Sequence, residues 1–149
     1  MHSVQPSLKG RALRLLSGRE HSRSELERKL EKFEDEPGAL ARTLDELQAK
    51  GFISEQRVIE SVVHSRAAKL GTARIKHELQ GKGLNPEAIS NALKELQASE
   101  HERALAVWSK KFGNAPENAQ QTARQIRFLA ARGFSSDAIR QVVKAPTST

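Results

Sequence analysis

The stretch of sequence that decides the fold is "HELQGKGLNPEAI", residues 77–89. Its pattern returns fifty residues later in "RFLAARGFSSDAI", residues 127–139. In both, a Leu is followed three residues on by a basic residue, then Gly, an apolar residue, two residues that favour a helix start, an acid, Ala and Ile. A glycine after the last apolar position of a helix, followed by a capping residue and an acid, is typical of a helix–turn–helix unit. The chain therefore contains this unit at least twice.

A third copy of the pattern lies in the N-terminal part of the chain. With a shift of 49 residues, its apolar and proline positions fall on those of the copy in the middle. The matched positions are Leu26, Leu30, Pro37, Ala39, Leu40, Leu44 and Leu47 with Ile75, Leu79, Pro86, Ala88, Ile89, Leu93 and Leu96. Apolar residues recur every three or four positions, and no stretch alternates as a strand would. Because two helices leave apolar surface uncovered and three can close a small core, we predict three-helix units.

The sequence thus predicts an all-α fold of three tandem three-helix repeats that form an elongated, straight or curved body. We place the repeats at residues 1–50, 51–98 and 99–144, followed by a flexible C-terminal tail at 145–149. The nine predicted helices span 7–17, 22–33, 37–50, 54–69, 72–82, 86–97, 99–112, 118–132 and 135–144. Capping signals support four of the helix starts, and they are Ser22 with Glu25, Ser54 or Glu55, Asn85-Pro86-Glu87, and Ser135 or Ser136 before Asp137.

The composition suits small bundles better than one thick core. Of 149 residues, 37% are hydrophobic and 29% charged, with five Phe, one Trp and no Tyr, so aliphatic side chains must do most of the packing. The absence of Cys excludes disulfides and thiolate metal sites. The N-terminal residues contain no continuous apolar stretch, so we predict neither a signal peptide nor a membrane span. We expect a soluble, cytoplasmic, monomeric protein.

Sequence motifs for catalysis are missing. The stretches "HELQG" from His77 and "HERAL" from His101 each resemble the start of a zinc-binding helix motif but lack the second His four residues on. The Gly81–Gly83 stretch is too short for a phosphate-binding loop and lacks the following Ser or Thr. We read it as a helix C-terminus with Lys82 near the negative end of the helix dipole. We therefore expect no enzyme activity, no metal and no cofactor.

The charge pattern is more informative. The net charge of +7 is distributed as +1 in residues 1–50 (ten basic, nine acidic), +2 in 51–98 (seven and five) and +4 in 99–149 (eight and four). Such a surplus favours an acidic partner, either nucleic acid or an acidic protein groove. The alternative is a protein that is merely basic.

Basic residues cluster in two stretches, which give the candidate binding residues. In the second repeat they are Arg66, Lys69, Arg74, Lys76 and Lys82, and in the third repeat they are Lys110, Lys111, Arg124, Arg127 and Arg132. Exposed cations on one face are what phosphate contacts require. The alternative is an ordinary solvated face with local pairs four residues apart, such as Arg74 with Glu78.

The few aromatic residues have two interpretations. Trp108 and Phe112 share one helix face, which favours core packing over a stacking or docking role. Phe52 and Phe134 each follow a Gly at a helix end. For both we expect a hydrophobic contact that closes the turn.

Four blocks of residues resemble the RecX family of recombinase regulators over residues 10–144. The blocks are Arg19-Glu20-His21-Ser22 with Glu25-Leu26 and Lys29-Leu30; Gly51-Phe52-Ile53 with Arg57; Ser65-Arg66, Lys69, Gly71, Ala73 to Lys76, Glu78-Leu79 and Lys82-Gly83; and Arg127-Phe128-Leu129 with Arg132-Gly133-Phe134. The resemblance implies three tandem three-helix repeats, in agreement with the residue pattern. It also implies binding to the RecA protein and to its filament on single-stranded DNA, with weak direct DNA binding. The resemblance further implies that the protein lowers ATPase, strand-exchange and co-protease activity there by blocking or destabilising the filament. From the elongated, basic body we expect it to do so by occupying the filament groove.

Two other functions remain open at this point. One is a stand-alone helical protein that binds nucleic acid without RecA. The other is an adaptor that acts on a different helical partner.

Overall fold

The computed structural model describes residues 5–146. This part of the chain contains nine α-helices, one short 3-10 helix and no strand, which confirms the all-α prediction. The α-helices are α1 (Leu8–Gly18), α2 (Arg23–Leu30), α3 (Ala39–Ala49), α4 (Glu55–Arg66), α5 (Thr72–Gly81), α6 (Pro86–Ala98), α7 (Glu100–Lys111), α8 (Ala119–Ala131) and α9 (Ser136–Val142). Most of the predicted tail, residues 147–149, lies outside the described residues.

The predicted caps start the helices as expected. Ser22 and Glu25 form a capping box at α2, with both reciprocal hydrogen bonds present. The side chains of Ser54 and Ser135 each accept a backbone N–H two or three residues into the following helix turn, and Asn85 does so before the first-turn proline of α6. Each cap satisfies amide groups that a helix cannot bond internally.

Two helices end three residues earlier than the sequence predicts, which is the largest difference among the helix ends. The second predicted helix stops at Leu30 and continues as a 3-10 turn, Glu31–Phe33. The fourth stops at Arg66 and not at residue 69, and the turn that follows it contacts another helix. The guanidinium of Arg103, on α7, donates to the carbonyls of Ala67 and Leu70. These acceptors no longer need a continuing helix.

Three separate hydrophobic cores lie along the chain, one for each set of three helices. Leu26, Leu44 and Leu47 centre the first core, Ile75 and Leu79 the second, and Leu129 with Ala104 the third. Ile53 also packs into the first core. The boundaries at 50/51 and 98/99 stay predictions.

The two glycine-ended turns differ in their aromatic contact. Phe134 is buried, and its N–H bonds the carbonyl of Leu129. Phe52 makes the same backbone bond to Leu47, but its side chain is 46% exposed. The predicted hydrophobic contact of Phe52 is therefore wrong, because the next residue, Ile53, fills the core position.

Candidate functional site

The repeated basic-Gly turn joins neighbouring repeats end to end. At the first junction, the hydroxyl of Ser22 at the start of α2 donates to the carbonyl of Lys82 after α5, at 2.6 Å. At the second junction, the N–H of Gly71 at the start of α5 donates to the carbonyl of Arg132 after α8, at 2.7 Å. The C-terminal end of one middle helix therefore meets the N-terminal end of the preceding one, which also aligns opposite helix-dipole ends.

An arginine reinforces each junction. Arg28 donates to the carbonyl of Gly81 at 2.9 Å, and Arg74 donates to the carbonyl of Ala131 at 2.7 Å. These are carbonyls of the last helix turn, which lack partners within their own helix. Both arginines thus cap the middle helix of the next repeat.

Close backbone approach explains the glycines at the second junction. A side chain at Gly71 would collide with the backbone of Gly133 and Phe134. Gly133 has a φ of 90°, and a side chain there would collide with Arg74. The motif that repeats in the sequence is therefore a docking motif as well as a turn.

A buried carboxylate ties the first junction together. Glu25 accepts hydrogen bonds from Arg19 at 2.6 Å, from Lys82 at 3.2 Å and from the backbone N–H of Ser22 at 3.1 Å. Burial acts to raise the pKa of Glu25, but the bonds from Arg19, Ser22 and Lys82 outweigh it and lower the pKa to about 2. Glu25 is therefore a structural anion, and Lys82 is its partner from the next repeat.

The second junction has its own ionic centre on α7. Arg103 donates to the carbonyls of Ala67, Leu70 and Leu96 and to the hydroxyls of Thr72 and Ser99. Glu100, which is 3% exposed, accepts the N–H of Thr72 at 2.9 Å. The two side chains thus provide hydrogen-bond partners for backbone groups at the end of α4, the end of α6 and the start of α5.

A buried histidine lies beside the first junction. His21 Nδ1 lies 3.1 Å from the carbonyl of Arg19, and Nε2 lies 3.0 Å from the Lys29 ammonium. An ammonium only donates, so Nε2 accepts and Nδ1 carries the proton of a neutral ring. Burial lowers the pKa of His21, and the positive charges of the neighbouring Arg19 and Lys29 lower it further.

Three of the candidate binding residues make contacts within the protein. Arg66 pairs with Glu78 at 3.0 Å, so Glu78 does not form the local pair with Arg74 that the alternative interpretation suggested. Arg74 instead reaches the third repeat at the carbonyl of Ala131, and Lys82 reaches the first at Glu25. Both positions hold repeats together because the repeats dock through their helix ends.

A second group surrounds Phe128 in the third repeat. The guanidinium of Arg132 lies 4.4 Å from the centre of this ring, and the Lys111 ammonium lies 5.5 Å from it. Phe112 packs edge-on against the same ring, at 5.3 Å between centroids. Cations held over an aromatic face are partly immobilised.

Trp108 packs partly against the third core, and its indole N–H donates to Gln125 at 2.8 Å. The core-packing interpretation of Trp108 is confirmed.

The remaining five candidates have exposed side chains. Within residues 5–146 they form no ion pair with a carboxylate, and they are Lys69, Lys76, Lys110, Arg124 and Arg127. They lie on α5, α7, α8 and the loop before α5. These cations are available to an anionic partner.

The structure adds residues that sequence reasoning missed. Arg103 and Glu100 stand in the "SEHERAL" stretch, from which the sequence motifs single out only His101. Two acids and an arginine in the first turn of a helix were the available signal. His21 was noticed only as part of a motif, although it is 2% exposed.

Neither a metal-binding cluster nor a membrane-spanning helix is found in the described part of the chain. Between residues 5 and 146, no three His, Asp or Glu side chains come together in a way that could hold a metal ion. None of the helices described there has the length and apolar character needed to cross a bilayer.

Comparison with known families covers all three repeats. Family models for the first, second and third three-helix domains of RecX match residues 9–47, 54–93 and 98–143. Each matched segment contains most of one of the three cores described above. The resemblance inferred from the sequence blocks is confirmed.

Curated proteins named regulatory protein RecX are similar over nearly the whole chain. The one from Leptothrix cholodnii is 51% identical over 140 residues, which cover 94% of this chain and 89% of that protein. The one from Herminiimonas arsenicoxydans is 45% identical over 145 residues, with coverage of 97% and 96%.

Two solved structures share the fold. A crystal structure of regulatory protein RecX has a TM-score of 0.75 and 22% identity, covering 91% of this chain and 70% of that one. A crystal structure of RecX from Lactobacillus salivarius has a TM-score of 0.72 and 22% identity, covering 91% of each chain.

Proposed function

Because this chain belongs to the RecX family of regulatory proteins, we propose that it binds RecA and the RecA filament on single-stranded DNA. Occupation of the filament groove lowers ATP hydrolysis, strand exchange and co-protease activity. The observation that carries this proposal is the match of all three repeats to RecX domains. The protein acts in DNA repair and the SOS response, in the cytoplasm and as a monomer.

The arrangement of the repeats supports binding along a polymer. The three repeats have separate cores and are joined end to end. No hydrogen bond or ion pair links residues 5–50 directly with 99–146. A body of this kind presents a long surface that can contact successive subunits of a filament.

The exposed cations support contact with an anionic surface. Lys69, Lys76, Lys110, Arg124 and Arg127 are the residues we propose for this contact, since their charges are not neutralised by neighbouring carboxylates within residues 5–146. Lys82, Arg74 and Arg132 act indirectly by holding the surface in place. We propose only weak direct DNA binding, because five cations spread over two repeats neutralise few adjacent phosphates.

Inhibition then follows from occupancy and needs no catalytic group. A rigid body that bridges neighbouring subunits resists the subunit movements on which nucleotide turnover depends. We propose no enzyme activity and no cofactor.

A binding comparison tests the partner. The full chain is titrated onto labelled single-stranded DNA, alone and coated with the cognate RecA. We expect binding to the coated strand at concentrations about tenfold or more below those needed for bare DNA. Equal affinity for both, with a salt dependence of several phosphate contacts, would instead establish a stand-alone nucleic-acid binder. Binding to neither strand would favour an adaptor for another partner.

A further inference from the structure

An open groove on the first repeat is not used by the function proposed above. It has a volume of about 330 Å³ and lies between α1 and the end of α2. Its floor contains the apolar side chains of Leu15, Leu30 and Phe33. Phe33 is 38% exposed, so part of its side chain is accessible to a ligand. We call this feature the first-repeat groove.

Four basic residues surround the floor, and no carboxylate lines the groove. They are Arg11, Arg14, Lys29 and Lys32. Within residues 5–146, none of them pairs with a carboxylate. Nearby cations of the same repeat are paired, as Arg19 is with Glu25. Four unneutralised like charges repel each other, so a ligand that brings negative charge is favoured here.

The apolar floor favours a peptide over a nucleic acid. A base would need an open aromatic face on which to stack. The Arg11 guanidinium already lies 3.7 Å from the centre of the Phe33 ring, and Lys32 Nζ lies 5.2 Å from it.

We propose that the first-repeat groove binds a short acidic peptide segment of a protein partner. One large apolar side chain of the segment contacts Leu15 and Phe33, above the buried Leu30, and carboxylates on either side pair with the surrounding cations. The apolar anchor supplies affinity, and the charges supply selection and orientation. This site is separate from the cations of the second and third repeats.

The larger groove of the second repeat provides a contrast. It lies between α4 and α6, has a volume of about 590 Å³, and is bordered by Glu60 and Glu95. An acidic peptide is repelled there. The first-repeat groove is therefore suited to an acidic peptide because of the positive charge around it and not because of its volume.

Fluorescence anisotropy tests the proposal with the full chain. The probe is a labelled nine-residue peptide with a central phenylalanine and four acidic residues on each side. We expect saturable, salt-sensitive binding that weakens about tenfold in Arg14→Glu. Lys94→Glu is the matched control, because it makes the same charge change at an exposed position of α6 away from the groove. A peptide with serine in place of the phenylalanine should also bind about tenfold more weakly.

Several results would overturn the proposal. They are no saturable binding, an equal loss in Arg14→Glu and Lys94→Glu, and equal binding of the serine peptide. Displacement of the peptide by single-stranded DNA, with DNA binding lost in Arg14→Glu, would make the groove a nucleic-acid site. A dimer that Arg14→Glu dissociates would make it a self-association site. Inhibition of RecA by Arg14→Glu should remain normal, so failure of this inference and failure of the proposed function are distinguishable.

Discussion

The Lys82 ammonium lies 3.2 Å from Glu25 Oε1, and this pair connects the end of α5 to the first turn of α2 in the preceding repeat. The side chains are only 16% and 10% exposed. A residue that would be read as a DNA-binding lysine therefore holds two repeats together. The fixed relation between repeats, and hence the spacing of the exposed cations, depends on such contacts.

Replacing this lysine should loosen the first junction. In Lys82→Met, Glu25 keeps Arg19 but loses its partner from the second repeat. We expect the free energy of unfolding to fall by about 2 kcal/mol, because part of a shielded ion pair is removed. Urea unfolding measures it, with Lys94→Met as the control. Equal stability of the two variants would show that the pair does not hold the junction.

The glycine at the second junction should not tolerate a side chain. Gly133→Ala places a methyl group against Arg74 at a φ of 90°. We expect a loss of about 2 kcal/mol or more from strain and displacement of Arg74. In Gly81→Ala the added carbon meets no atom within 4 Å, so stability should stay equal or rise slightly. Thermal unfolding compares the two, and a harmless Gly133→Ala would contradict the close approach.

Removal of Arg103 should uncouple the third repeat from the second. Arg103→Leu leaves the carbonyls of Ala67 and Leu70 without their side-chain donor, whereas Leu96 keeps the bonds from Ser99. We expect a loss of about 3 kcal/mol, since both acceptors become unsatisfied. Hydrogen exchange at the amides of residues 70–75 should accelerate while α1 to α3 keep their protection. Uniform protection throughout would refute this role.

Stability should depend on pH through His21. Its pKa in the folded protein is below the ordinary value of 6.5, so the unfolded chain binds more protons as the pH falls below that value. The stabilising contribution is complete above pH 6.5 and is lost as the pH falls toward the lowered pKa. NMR titration should place the pKa of His21 below 6.5, and His21→Gln should flatten this part of the curve. A normal or raised pKa would contradict the neutral, buried ring.

Glu25 gives a second pH dependence at lower pH. Its pKa of about 2 lies below the ordinary 4.5. The stabilisation is therefore present above about 4.5 and is lost between that pH and about 2. Glu25→Gln should remove this acid limb, as measured by the unfolding midpoint across that range. An unchanged acid limb would show that other carboxylates control it.

The sequence was sufficient for the fold because helix signals are local. Ser22 with Glu25, and Asn85 before Pro86, lie within one turn of the groups they cap. Repetition at a constant shift then predicted three similar bundles. The helix ends at Leu30 and Arg66 are harder to predict, and after α4 the carbonyls of Ala67 and Leu70 are bonded by Arg103, more than thirty residues away in the chain.

The candidate site was harder to predict for the same physical reason. Whether a cation is free depends on which repeat docks beside it, and periodicity does not contain that information. Lys82 and Glu25 are 57 residues apart, as are Arg74 and Ala131. The side chains of Lys76 and Arg127 are exposed. Composition alone does not distinguish these two residues from the basic residues at the junctions.

ATP hydrolysis by the cognate RecA on single-stranded DNA tests the central claim most directly. Substoichiometric protein should lower the rate, and Lys76→Glu with Arg127→Glu should require about tenfold more protein for the same effect, whereas Lys94→Glu should behave as the unaltered chain. A hydrolysis rate that stays unchanged up to an excess of folded protein would contradict the account.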